Sequence, residues 1–428
     1  MRAVLKTSWP LLIGMFLLMI GNGMQGTVLG VRGGLEGFDA TTMGLVMSGY
    51  FLGFLGGAKL TPVMLRRVGH VRVFAALGSM ISAALIIYGA IVDPLAWTLM
   101  RVIVGFCYSG VYVVAESWLN NQATNETRGR ALSAYLIVQM LGIIAAQGLL
   151  NAANPAGYDL FVIMSVAVSI SFAPMLLSAG PTPVFETTRT MSLGRLYRTS
   201  PLGCVGTFLL GAIFACQFGM APVYATLRGM TTAEISIFIG AFYVGGLVLQ
   251  YPIGWLSDRM DRRRLIAIVT AVGAAAAFLA LAAGGSFVWL VLAATLIGGT
   301  SNPLYSLLIA HTNDFLAPED MAAASGGLIV LNGVGAAGTP ILVGYLMRDY
   351  GAAAFPLFLG VVMATMTAYA LYRMTRRRAK SAAETVPMPP ITMGATPVAG
   401  EMAQEAVVEL IEAAEATGEG SPQPAGAP

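Results

Sequence analysis

The stretch Gly254-Trp255-Leu256-Ser257-Asp258-Arg259-Met260-Asp261-Arg262-Arg263-Arg264 gathers six charged side chains between two apolar runs. Neither flank, residues 235–256 without 257–264 or residues 265–283, contains a charged residue. A hydrocarbon core about 30 Å thick is crossed by roughly 20 helical residues at 1.5 Å each, so each flank has the length of a transmembrane helix. The charged stretch is then the loop between two of them. The rest of the chain repeats this alternation. Of 428 residues, 57% are hydrophobic and 11% charged, with a mean hydropathy of +0.75. An ordinary soluble domain carries roughly 25% charged residues. The 51 glycines are dispersed through the apolar runs rather than clustered. A soluble enzyme of this composition could not cover its surface, so the expected fold class is an all-α membrane protein.

Read at that length, the chain divides into spans near 9–30, 42–64, 73–92, 95–117, 131–150 and 159–179, then 202–223, 235–256, 265–283, 286–309, 322–345 and 354–372. Asp93-Pro94, Asn154-Pro155, Pro181 with Pro183, and Pro318 punctuate them, because proline removes a backbone donor and stops helices. Arg2 and Lys6 ahead of an apolar run imitate a secretory signal, but the run continues to Leu29 without a small-residue cleavage site, so it is read as the first span. Cys107, Cys204 and Cys216 fall inside apolar runs and read as small buried hydrophobes. With both termini cytoplasmic, 19 of the 24 Lys and Arg residues lie in inner segments and only Arg32, Arg228 and Arg348 outside; Lys59 and Arg101 are within spans. That asymmetry sets the expected orientation. The inner arginines read as contacts to anionic lipids of the inner leaflet, with no nucleic-acid site implied.

A shift of 192 residues maps Phe16-Leu17-Leu18 onto Phe208-Leu209-Leu210, Gln25 onto Gln217, Gly53 onto Gly245, Arg72 onto Arg264 and Trp97 onto Trp289. The repeat contains six spans, an even number, so the halves run parallel. The expected organisation is a six-helix bundle over 1–179, a cytoplasmic linker over 180–200, a second six-helix bundle over 201–372, and a basic then acidic, mostly disordered cytoplasmic tail over 373–428. Within that tail, Val407, Val408, Leu410 and Ile411 form a weak apolar stripe with helical spacing.

The opening loop resembles a signature of the major facilitator superfamily: a glycine four residues ahead of an Asp-Arg pair, then a basic cluster. The equivalent loop, Pro62-Val63-Met64-Leu65-Arg66-Arg67-Val68-Gly69-His70-Val71-Arg72, departs from it, with Arg66 at the acidic position and Pro62 at the leading glycine. Span 4 resembles a second motif of that superfamily, an intramembrane Arg followed by glycine: Arg101-Val102-Ile103-Val104-Gly105. Residues Arg101 to Trp118, Arg128-Gly129-Arg130 and Pro252-Ile253-Gly254 are similar to the YcaD-like bacterial branch. The resemblance implies the twelve-helix facilitator fold, alternating access and residence in a bacterial inner membrane. It also implies gating roles: Asp258 with Arg259 as one latch, and Glu116 with Arg66 or Arg72 as another. The competing readings are that these charges only hold the loops inside and that Glu116 is merely interfacial.

Arg101 either faces a cavity or snorkels to the outer surface. Lys59, near the inner end of span 2, reads as snorkelling. The polar residues far from span ends, Asn22, Gln25, Gln139, Gln217, Tyr243, Asn302 and Asn332, together with Arg101, sketch a substrate or coupling site, because buried amides are costly unless a shared midplane cavity or a neighbouring helix partners them. Gln25 and Gln217 lead this set as equivalents in the two halves. Gly49, Gly53 and Gly57, four apart, read as a packing stripe. No carboxylate lies deep in any span, which leaves Glu116, Glu234, Asp39 or a water path near Arg101 to handle a coupling proton.

The expected function is secondary active transport of a small solute by a monomer, without metal or cofactor. Uptake of a polar or anionic solute competes with efflux of amphipathic compounds. The rival from another class is a transporter-like sensor or receptor signalling through the tail. No enzyme motif is present: there is no metal-binding HExxH and no phosphate-cradling glycine loop. His70 and His311 both fall at inner loops and read as ordinary loop histidines.

Overall fold

The computed structural model describes residues 2–123, 127–177, 191–282, 285–376 and 396–417. They are helical, with no strand among the described residues. The first half holds α1 (Arg2–Leu35), α2 (Ala40–Val68), α3 (His70–Ala90), α4 (Pro94–Gln122), α5 (Arg128–Leu149) and α6 (Asp159–Leu176). After the short α7 (Leu193–Thr199), the second half holds α8 (Pro201–Ala215), α9 (Ala221–Leu227), α10 (Thr232–Ser257), α11 (Arg262–Ala282), α12 (Phe287–Asn313), α13 (Pro318–Ala337), α14 (Thr339–Tyr350) and α15 (Ala354–Arg376). Every expected span is matched by a helix. The seventh is interrupted between α8 and α9 by a π turn, Cys216–Met220, and the eleventh breaks at Gly338 between α13 and α14. In both, a proline (Pro222, Pro340) withholds the N–H owed to the carbonyl four residues back.

Local signals set the helix starts. Asp39 accepts from the Thr42 backbone N–H at 2.6 Å, Asp93 does the same for Ala96 at 2.8 Å, and Thr231 with Glu234 forms a reciprocal capping box. Such caps satisfy donors that a helix start leaves unpaired. Two of the expected proton handlers, Asp39 and Glu234, are thereby occupied at helix ends.

The duplication is visible in the packing. α2 lies along α4, and α10 along α12. A Cβ built on Gly53 would overlap the Val102 carbonyl, and one on Gly245 the Thr295 carbonyl. Likewise Gly105 sits under the carbonyl of Tyr50, and Gly298 under that of Phe242. Glycine is required where backbones approach this closely, and both halves use it at matching places. Gly49 and Gly57 continue the same seam against Thr98 and Phe106, as their spacing implied.

The two bundles touch mainly at the face opposite the arginine-rich loops. There α2 packs on α14, α1 on α9, and α5 on α10. Asn151 donates to the Ser236 hydroxyl at 2.9 Å, and Gly44 and Gly344 bring the α2–α14 backbones together.

The tail departs from expectation. Residues Pro397–Thr417 form a further helix, α16, which packs on α13, α5 and α4. Val398, Ala399, Met402, Ala403, Ala406 and Val407 are buried, and their three-to-four spacing is one helix face. The acidic composition argued for a solvated tail, but burial of that apolar face outweighs it. The linker residues 178–190 and the tail residues 377–395 and 418–428 lie outside the described residues.

Candidate functional site

Of the eight residues expected to share a site, six line one cavity of 180 Å³ between the bundles: Asn22, Gln25, Arg101, Gln139, Tyr243 and Asn332. Its wall draws on α1, α2, α4 and α5 from the first half and on α8, the π turn, α10, α12 and α13 from the second. Gln217 and Asn302 are placed elsewhere. Gln217 is fully buried in the π turn, where its carbonyl accepts from the Ser301 hydroxyl at 2.9 Å. Asn302 donates to the Gly298 carbonyl at 2.9 Å. The helix rotation that turns them away from the cavity could not be read from the sequence.

Arg101 does not snorkel. It is 4% exposed, deep in α4, and its guanidinium donates to the Gln25 carbonyl at 3.1 Å and to the Met47 sulfur at 3.4 Å. It stacks over the Tyr50 ring at 4.9 Å. The chain of contacts continues outward: the Gln25 amide donates to Asn22 at 2.8 Å, the Asn22 amide donates to the Tyr112 hydroxyl at 2.7 Å, and the Tyr50 hydroxyl donates to Asn22 at 3.2 Å. Every partner is neutral. No ion pair reaches Arg101 among the described residues, and its Nε, also buried, has no hydrogen-bond acceptor. A buried cation without a counter-charge is costly, by at least ~2.5 kcal/mol on insertion scales. Phe51, Phe54, Phe214 and Phe218 supply the apolar part of the same wall, with Phe218 against Tyr243 at 4.8 Å between centroids.

Tyr50, Tyr112 and Tyr305 were missed as wall residues. Tyrosines are common in spans, so composition alone does not mark them. One signal existed: Tyr112 and Tyr305 are 193 residues apart, the separation that also relates Gly105 to Gly298.

The expected latches are rearranged. Arg66 and Arg72 are exposed and make no ion pair among the described residues. Glu116, 1% exposed, instead accepts from the Thr396 hydroxyl, from the Ala399 backbone N–H at 3.2 Å and from the Tyr135 hydroxyl at 3.3 Å. In the other loop, Arg259 stacks on Trp255 at 4.2 Å. Asp258 approaches Arg262 at 3.5 Å, and the buried ion pair is Arg262 with Asp314 at the end of α12. Arg262 also donates to the Ser257 hydroxyl and the Ala310 carbonyl, both at 3.1 Å. The motif therefore ties α10, α11 and α12 together within one bundle. Burial opposes ionisation of the adjacent Asp261, but hydrogen bonds from the Arg263 side chain and backbone hold its carboxyl below the ordinary range. His70 pairs with the Ser117 hydroxyl at 3.0 Å, and His311 packs edge-on against Phe315.

Comparison with known proteins places these observations in a family. The family model described as Major Facilitator Superfamily matches residues 11–201 and 203–409. The MFS-type transporter YcaD of Escherichia fergusonii is 23% identical over 345 residues, covering 79% of this chain and 88% of that protein. Its Salmonella arizonae counterpart is 24% identical over 347 residues, with the same coverage of 79% and 88%. Among solved structures, a point variant of the nucleoside transporter NupG superposes with a TM-score of 0.73 at 16% identity, covering 86% of this chain and 99% of that one. A bacterial homologue of the human lysosomal transporter Spinster, in an inward-facing and unoccupied conformation, superposes with a TM-score of 0.64 at 12% identity, covering 93% and 97%.

Proposed function

The chain belongs to the major facilitator superfamily, YcaD-like branch, and on that premise we propose that its solute is a small organic anion seated on Arg101. The protein is an integral membrane secondary transporter that works by alternating access; it is not an enzyme, and the sensor reading is set aside. The observation that supports the anion is the guanidinium of Arg101, buried at the cavity wall with only neutral partners. A carboxylate or phosphate entering the cavity brings a counter-charge to the guanidinium. The phenylalanines beside it suit an apolar body, so an organic anion fits better than a bare inorganic one. Of the amphipathic compounds considered for efflux, Arg101 would repel the cationic ones, so the anionic-solute reading is the one it supports.

In this proposal Gln25 and Asn22 orient the guanidinium, while Gln139, Tyr243 and Asn332 contact the solute from the remaining walls. Glu116 and a water path near Arg101 are the remaining candidates for handling a coupling proton. The arginine-rich face is cytoplasmic, set against the anionic headgroups of a bacterial inner membrane, and the transporter acts as a monomer.

The test is thermal unfolding in detergent with benzoate, succinate and glycerol phosphate against uridine and mannitol. A ligand that binds only the native state raises its apparent melting temperature. Expected is a rise with at least one anion that disappears in Arg101→Gln. A rise with the neutral solutes alone would leave the transporter intact and discard the anion.

A further inference from the structure

The described tail helix lies where the transport cycle needs empty space. α16 touches both bundles at the arginine-rich face. On the first bundle, its start is held by Glu116 of α4, which accepts from Thr396 and from the Ala399 N–H. Arg128 at the start of α5 pairs with Glu405 at 3.2 Å and with Glu409. On the second bundle, Asn313 at the end of α12 donates to the Gln404 carbonyl at 2.6 Å, and Gly400 lies against Ser325 and Ile329 of α13. Ile329 is also part of the cavity wall. One helix thus bridges α4 and α5 to α12 and α13 directly beneath the cavity.

Two physical features make this docking specific. The carboxylate of Glu116 sits at the positive end of the α16 macrodipole and accepts from donors that a helix start leaves unpaired. The buried face of α16 is small and apolar, so it fits between helices without forcing them further apart. Alternating access rocks one bundle against the other, so the two must close at this face when the opposite face opens. With α16 in place, that closure is sterically blocked.

We propose that α16 is an autoinhibitory wedge: docked, it holds the transporter open toward the arginine-rich face and stops the cycle, and it must leave before the opposite face can open. The ion pairs of Arg128 with Glu405 and Glu409 are partly exposed, so they add little. The Glu116 contact and the apolar face carry the docking.

The test reads conformation and needs no substrate. Val92 and Val288 are exposed at the opposite face, one in each bundle. Each is changed to Cys and spin-labelled, in a chain whose Cys107, Cys204 and Cys216 are changed to Ala, and the inter-label distance is measured in lipid nanodiscs. The chain with α16 is expected to show one short population. Removing residues 396–428, or placing Met402→Arg in the buried face of the full chain, is expected to add a longer population in at least one of the two. A third variant, Ser325→Cys with Gly400→Cys, is oxidised before labelling; the Cβ positions are 3.4 Å apart, close to disulfide geometry. It is expected to keep only the short population, and a long one there overturns the proposal. An unchanged distribution in both the deletion and Met402→Arg overturns it equally.

Discussion

At the scale of single residues, two arginines illustrate opposite solutions to the same cost. Arg262 is buried and paired: its side chain is 1% exposed and meets Asp314, 4% exposed, with Ser257 and Ala310 completing its hydrogen bonds. Removing one partner leaves an uncompensated buried charge, typically about 3–5 kcal/mol. Arg262→Met is therefore expected to lower the melting temperature markedly in detergent, and Arg262→Met with Asp314→Leu to recover much of the loss. Arg101 is buried and unpaired, the arrangement of a group waiting for a ligand. Arg101→Gln is expected to leave stability equal or raised, since a buried charge without a counter-charge is removed, while abolishing the anion-dependent thermal shift. A loss of stability comparable to that of Arg262→Met would mark Arg101 as structural.

Among the elements, the seams α2–α4 and α10–α12 carry the duplication. Gly53 and Gly245 each sit on a neighbouring carbonyl with no room for a Cβ, and backbone on both sides cannot give way as a flexible side chain does. Gly53→Ala and Gly245→Ala are each expected to destabilise by about 1–3 kcal/mol through overpacking, read as lower melting temperatures of similar size. Gly194, with open space around it, serves as the control and is expected to tolerate Ala. The repeat is one of packing more than of surroundings. Trp97 is fully buried and donates to the Ile91 carbonyl at 2.9 Å, whereas Trp289, its equivalent by the shift of 192, is 52% exposed. The halves diverge where they face different neighbours.

Across the whole molecule, one face is closed by bundle-to-bundle packing and the other is spanned by α16. The Cβ of a residue at Gly34 would lie 3.5 Å from that of Thr226 across the closed face, again near disulfide geometry. Gly34→Cys with Thr226→Cys, oxidised, is expected to stop transport of the anion identified by the thermal screen, with recovery on reduction. Continued flux in the oxidised protein would contradict alternating access through this cavity. The twelve apolar segments and their duplication were legible in the chain alone, because membrane thickness, proline and glycine chemistry and charge placement act locally along it. The depth of Asn22, Gln25 and Arg101 was legible for the same reason. The span ends were not, with α4 running to Gln122 and α14 to Tyr350 beyond the expected 117 and 345. Which way each side chain turns was not: Gln25 meets the cavity while Gln217 is folded into a π turn, since rotation about a helix axis is decided by packing against neighbours. Nor could the chain alone reveal that Glu116 would pair with Thr396 and Ala399, some 280 residues away, in place of the nearby arginines. Such pairings depend on which surfaces meet when the bundles assemble, and only the tertiary structure decides that.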